Sequence, residues 1–179
     1  MREVAPTLLV RVTWRPYGDG EFFGFFLSEA MGVTVPARNG SQVENFGVPW
    51  ESSYGYVQAI RHGDTIYVSG QLANKGSELV APAPVDGNGK VIDFSNMGEQ
   101  MRQSYVNAQE LLARFGASLD DVVEEVLYVL DIPAAFEVAG PVRKAAYGRQ
   151  DPQVASTIVG VTGLAFLEQL IEIRFTARI

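Results

Sequence analysis

Six side chains recur at steps of three or four along one stretch of this chain: Met97, Met101, Tyr105, Ala108, Leu112 and Phe115. With 3.6 residues per turn, that spacing lines them along one face and predicts a helix that must bury a stripe against another element. Asn96, with Glu99 three residues later, has the spacing of a capping box at its start, and Gly116 suits a left-handed end. Residues 122–130 follow at once and are rich in β-branched and aliphatic side chains, as a buried strand is. A striped helix feeding an apolar strand commits the chain to helix packed on sheet.

The remaining pattern fills in that architecture. Residues 57–61 and 65–68 read as two strands joined across His62-Gly63-Asp64, a tight-turn composition. Residues 81–90 carry Pro82, Pro84, Gly87 and Gly89 and read as a loop. Asp131 and Pro133 suit the start of a second helix running towards Tyr147, which Pro141 should bend or divide. Strands over 155–162 and 169–177 complete the order ββαβαββ. That order is α+β, with the helices on one face of a mixed sheet. The strand at 122–130 is too apolar to be wet on either side, so the second face needs cover. Self-association supplies it, and a homo-oligomer is expected.

The chain changes character near Gly40. Upstream lie a strand-like stretch at 8–14, a turn signal at 16–20 and the run Phe22-Phe23-Gly24-Phe25-Phe26-Leu27. Such a run is costly to leave in water and is expected to pack in a core or a subunit contact. The organisation expected is an N-terminal extension, 1–50, and a domain, 51–179. The extension is readable as an arm across an oligomer, a specificity element over a cleft, or the product of an upstream start.

Composition removes several functions. The 179 residues include no cysteine, so disulfides, thiol nucleophiles and thiolate metal sites are out, and the cytoplasm is the default location. No apolar run approaches the length of a membrane span. Charge is acidic throughout: residues 1–50 hold four Lys/Arg and five Asp/Glu, a net of −1, leaving −6 of the total −7 for the rest. No cluster of Lys and Arg suggests a phosphate-backbone surface, which argues against nucleic acid as a partner. The one histidine, His62, sits in a predicted turn and is expected in solvent, which disfavours both a Ser-His-Asp triad and a transition-metal site. Asp120-Asp121 and Glu124-Glu125 read as solvated charges where the strand begins. Glu172 lies in an apolar strand, where a carboxylate needs a reason to be buried: activating a water or pairing with a nearby arginine.

From about Tyr54 onward the chain resembles the RidA family, also called YjgF or L-PSP. The segments that carry the likeness are Gly55-Tyr56-Val57-Gln58-Ala59, Asp64-Thr65-Ile66-Tyr67-Val68-Ser69-Gly70-Gln71, the set Gln100, Asn107, Leu112 and Gly116-Ala117-Ser118, then Asp121-Val122-Val123 and Ile171-Glu172-Ile173. The resemblance implies a chorismate-mutase-like trimer with clefts between subunits. It also implies hydrolysis of enamines and imines such as 2-aminoacrylate to keto acids and ammonia, without metal or organic cofactor. By position, Glu172 would orient the attacking water, Tyr56 would border the cleft and Ser69 would contribute hydroxyl or backbone contacts. The family anchors its substrate's carboxylate with arginine in a Pro-Ala-Arg-Ser/Thr motif. Here that motif reads Val154-Ala155-Ser156-Thr157, with Ser156 in the arginine position. A hydroxyl gives one hydrogen bond and no charge, so the usual 2-imino acid is not the substrate expected. Arg149, seven residues upstream, is the candidate replacement anchor. The leading reading is a RidA-like deaminase of a small enamine, imine or related C–N metabolite. The alternative is a non-catalytic module on the same scaffold that binds a small metabolite.

Overall fold

The computed structural model describes residues 40–179. The expected strand at 8–14, the turn at 16–20 and the phenylalanine run lie outside the described residues. Short elements come first: β1 (Gln42–Glu44), α1 (Pro49–Tyr54), β2 (Ala59–His62), β3 (Thr65–Gln71), β4 (Asn74–Lys75) and β5 (Glu78–Leu79). The long helix α2 (Met97–Arg114) follows, then β6 (Val122–Val129), α3 (Ile132–Tyr147), β7 (Ala155–Gly160) and β8 (Ile171–Arg178). The predicted ββαβαββ order is present, with β1, α1 and the small β4–β5 hairpin added. Those additions are two to six residues long, too short to show a period.

Six strands form one sheet in the order β1-β2-β3-β8-β6-β7, and β6 and β7 are its parallel pair. A parallel neighbour needs a crossover, and α3 is that crossover. The β2–β3 hairpin closes through Gly63-Asp64, with Gly63 at φ 61°, a conformation only glycine adopts cheaply. Residues Ile66, Val68, Leu127, Val129, Ile171, Ile173 and Phe175 point from the sheet into one core. Met97, Met101, Tyr105, Ala108, Leu111 and Leu112 of α2, with Ala135, Ala139 and Val142 of α3, close it from the helix side. The predicted stripe therefore faces the sheet.

Four local expectations change. The Asn96 side chain does not cap α2; its backbone is already helical (φ −79°, ψ 0°), and its amide donates to the Pro82 carbonyl instead. Glu99 pairs with Arg102 rather than reaching back. Pro141 does not divide α3, because it and Glu137, whose carbonyl loses its partner, both face solvent, where water can satisfy that carbonyl. Within one chain the residues of β6 alternate: Val122, Glu125, Leu127 and Val129 are covered, while Glu124 is exposed. Most telling, Glu125 is not a solvated charge but completely buried.

The sheet face turned away from the helices carries Ile60, Tyr67, Glu124, Val126, Tyr128, Glu172, Arg174 and Thr176, as the cross-strand register requires. Arg174 pairs there with Glu124 at 3.0 Å. No helix among the described residues is long and apolar enough to cross a membrane.

Candidate active site

Glu172 occupies the second residue of β8, on the sheet face opposite the helices, beside Tyr128 of β6. Its carboxylate lies over Gly70 of β3, so closely that a Cβ there would stand 1.8 Å from Oε1. Glycine is needed for room here. The register between β3 and β8 shifts between Val68 and Gln71, and within that irregular stretch Gly70 meets this carboxylate. Gln169, fully buried, donates its Nε2–H to Glu172 Oε2 at 3.4 Å and to the Ile171 carbonyl at 3.0 Å. Burial pushes the Glu172 carboxyl above the usual carboxylate range, and the Gln169 hydrogen bond only partly opposes it. No ion pair found among the described residues includes Glu172.

Tyr56 stands close enough for the Glu172 charge to act on it. Burial first, then Glu51 and Glu172, raise its hydroxyl above the ordinary value. Its oxygen accepts from Gln58 Nε2 at 3.4 Å, and Gln58 Oε1 in turn accepts from Gln71 Nε2 at 3.0 Å. Ser69 donates its hydroxyl to the Val57 carbonyl at 2.7 Å, tying β3 to the segment that carries Tyr56. Ser69 thus frames the site through backbone. Gly70→Ala is expected to force the Glu172 carboxylate out towards water. Its pKa, followed by NMR titration, should fall back towards the ordinary carboxylate range; an unmoved titration would mean the carboxylate does not depend on Gly70.

The family's anchor position lies elsewhere in the chain. Ser156, on edge strand β7, is in register with Glu125 of β6 and so shares the helix-facing side, opposite Glu172. Arg143 of α3 reaches it, donating from Nη2 to Ser156 Oγ at 2.6 Å. The Nε–H of the same guanidinium bonds Glu125 Oε1, while Tyr105 and Tyr147 hydroxyls donate to Oε2 at 2.9 and 3.2 Å. Burial and the Glu125 charge raise both tyrosines above their ordinary values. Burial is the largest single influence on Arg143 and opposes its charge, but Glu125 and Tyr105 together outweigh it and raise the guanidinium. A guanidinium therefore stands at the serine, yet it is neutralised by a buried carboxylate.

Arg149 does not reach this cluster. Its Nε and Nη2 grip the two Asp120 oxygens at 2.9 Å each, in an exposed fork that raises its own pKa. It borders an open hollow of about 680 Å³ with Lys144 and Gln150. A second hollow, about 280 Å³, lies by Gly40, Gln42, Arg61 and Gly63, and Glu172 lines neither. Of the five residues singled out from sequence, the chain brings together Tyr56, Ser69 and Glu172; Ser156 and Arg149 stand apart. Residues outside that set also belong to the description: Arg143, Glu125 and Gln169. Period-two reading would have found Glu125, which shares parity with Leu127 and Val129.

The Endoribonuclease L-PSP family profile matches residues 49–179. RutC family protein YjgH of Escherichia coli (strain K12) is 31% identical over 128 residues, 72% of this chain and 86% of that protein. Among solved structures, Rv2704 of Mycobacterium tuberculosis, described as a member of the YjgF/YER057c/UK114 family, superposes with a TM-score of 0.61 at 26% identity. The match covers 78% of this chain and 99% of that one. RidA from the Antarctic bacterium Psychrobacter sp. gives 0.56 at 27% identity over 69% of this chain and 88% of its own. With the profile spanning most of the sequence and the fold agreeing, the chain belongs to the RidA/YjgF/L-PSP family.

Proposed function

We propose that this protein hydrolyses a small enamine, imine or related C–N metabolite that lacks the usual carboxylate, in a cleft between subunits of a homotrimer in the cytoplasm. The observation that carries the reading is Glu172: a largely buried acid with a raised pKa, beside Tyr56 and without a cationic partner among the described residues. Its position suits a general base that takes a proton from water and returns it to the departing nitrogen. The water's oxygen attacks the C=N carbon, the π pair moves to nitrogen, and collapse of the carbinolamine releases a carbonyl and ammonia. Tyr56 and Ser69 frame that site.

A homotrimer would supply what one chain lacks. On the second sheet face Tyr67 is exposed while Ile60 and Tyr128 are half-buried, and the helix-side groups at Ser156 could meet a neighbour's Glu172 only across an interface. The reading keeps residues 1–50 as an extension to the 51–179 domain.

Exclusion of a substrate carboxylate rests on the state of the guanidinium. Arg143 is already bonded to Glu125, and Arg149 to Asp120, so neither offers an unopposed charge. The same observation favours a second reading, a non-catalytic module that binds a small metabolite. Ammonia release separates them, using a carboxylate-free imine generated in situ by an amine oxidase alongside 2-aminoacrylate. Wild type is expected to accelerate the first and not the second, and Ser156→Arg, which adds a second guanidinium, should shift preference towards 2-aminoacrylate. Acceleration of neither favours the binding module. A wild-type preference for 2-aminoacrylate would show that the carboxylate has an anchor after all, with Arg143 and Arg149 the residues to mutate.

A further inference from the structure

Gln100 of α2 is fully buried, and every polar atom of its side chain is in use. Its Nε2–H groups donate to the Glu168 and Ala81 carbonyls, each at 2.9 Å, and its Oε1 accepts the Leu170 backbone N–H at 2.8 Å. An amide with both donors and its acceptor engaged can point only one way. Glu168 and Leu170 flank Gln169, so one side chain grips the backbone on both sides of that residue. Among the described residues Ala81 is the only non-glycine with positive φ, at 48°. Backbone strain of that kind persists where the surroundings over-determine it, and the Gln100 bond to the Ala81 carbonyl is part of what fixes it here.

Gln169 is the residue this grip presents to the site. Fully buried itself, it accepts the Phe166 N–H at 3.3 Å and divides its own N–H groups between the Ile171 carbonyl, at 3.0 Å, and Glu172 Oε2, at 3.4 Å. The Glu172 bond is the longest of the three. It lies near the limit for a hydrogen bond, so a small displacement of the segment breaks it first.

We propose that Gln100 is a positioning residue for Glu172: by holding residues 168 and 170 it keeps the Gln169 amide on one oxygen of the candidate base and so sets the direction of that carboxylate. Its effect on rate rests on the C–N hydrolysis reading above; its effect on the carboxylate does not. Gln100 acts through Gln169, across the helix–sheet core from the chemistry. Orientation of this kind enters the chemical step more than substrate binding, because a misdirected base lengthens the path of the proton without emptying the site.

Gln100→Met keeps the length of the side chain and removes all three of its bonds. The Gln169 hydrogen bond holds the Glu172 pKa down against burial, so its loss should push the Glu172 titration, followed by carboxyl NMR, further up. Gln169→Met should do the same, and the two changes together should move the titration no further than Gln169→Met alone. With the carboxylate-free imine, kcat in Gln100→Met should fall about a hundredfold and KM should stay nearly unchanged. Gln100→Asn, one methylene short of the segment, gives the same pattern in a milder form should the methionine variant not fold. Leu112→Ala, a truncation of another fully buried residue of α2, is the control: it should lower the melting temperature and leave the Glu172 titration in place. A titration unmoved or lowered by the Gln100 changes, or a shift that adds to that of Gln169→Met, overturns the assignment whether or not the protein hydrolyses imines. A non-additive upward shift in a protein with no turnover keeps the positioning role and removes the hydrolase.

Discussion

Glu172→Gln should abolish imine hydrolysis and, in the same molecule, raise stability at neutral pH. Loss of a general base typically removes about 10²- to 10⁴-fold of rate, and the amide keeps the size of the side chain and the hydrogen bond from Gln169. The stability half follows from the direction of the pKa shift. Burial raises the Glu172 carboxyl in the folded chain, so the folded state holds its proton more tightly than the unfolded state does. Whatever this group contributes to stability is fully present below the unfolded pKa and lost as pH rises through the folded one. At pH 7 the ionised carboxylate is a burden that glutamine lacks. Melting curves of the two proteins should therefore diverge at pH 7, with the variant higher, and the variant's advantage should shrink as the pH is taken down through the carboxylate range. Wild-type activity should run the other way, falling as pH drops through a pKa above the ordinary glutamate value. An active Glu172→Gln would remove Glu172 from the chemistry; a variant that melts lower at pH 7 would mean the carboxylate has a partner that stabilises its charge.

Such a trade between stability and activity could be suspected from the sequence, but only part of the site could. The spacing of Met97 to Phe115 fixed the face of α2, because a long amphipathic helix repeats its signal over several turns. The strand opening with Ile171-Glu172-Ile173 displayed its anomaly openly, a carboxylate between residues that are both fully buried. Gly70 carried a readable hint as well, since glycine inside a strand pattern marks a bulge or a close approach, and here it marks both. Other features depend on pairings that no local pattern encodes. The helix α1 is six residues long, marked in the sequence only by Pro49 at its start and Gly55 at its end. That Ser156 and Glu172 point to opposite faces follows from register: they pair with Glu125 and Tyr128 of β6, which face opposite ways. Arg143 meets Ser156 because α3 is the crossover between β6 and β7, which carries a helix residue over the strand that follows it. Asn96 shows the opposite failure: the capping spacing was right, but the backbone there had already turned helical.

Arg143→Met should be among the most destabilising single changes available, although the residue lies on the outer helix layer. Glu125 is fully buried, and Arg143 is the only positively charged group bonded to it among the described residues. Two tyrosine hydroxyls remain after the change, and they can share a hydrogen bond but not cancel a charge. Breaking a buried pair in this way costs about 3–5 kcal/mol, against about 0–1 kcal/mol for a surface pair such as Arg149–Asp120. For a chain of this size the loss amounts to a fall in Tm on the order of ten degrees. Glu125→Gln should be milder, because Arg143 is one-fifth exposed and keeps both water and Ser156 as partners. Combining the two changes should recover much of what Arg143→Met loses, since no buried charge is then left alone. Thermal melts of the three variants decide how the guanidinium is used. A large loss with recovery in the double variant means that its charge belongs to Glu125 and is not free for a substrate's carboxylate, which is the basis for expecting a carboxylate-free imine. A negligible loss would mean that Glu125 does not need the charge, and Arg143 beside Ser156 would then become the carboxylate anchor that the strand itself lacks.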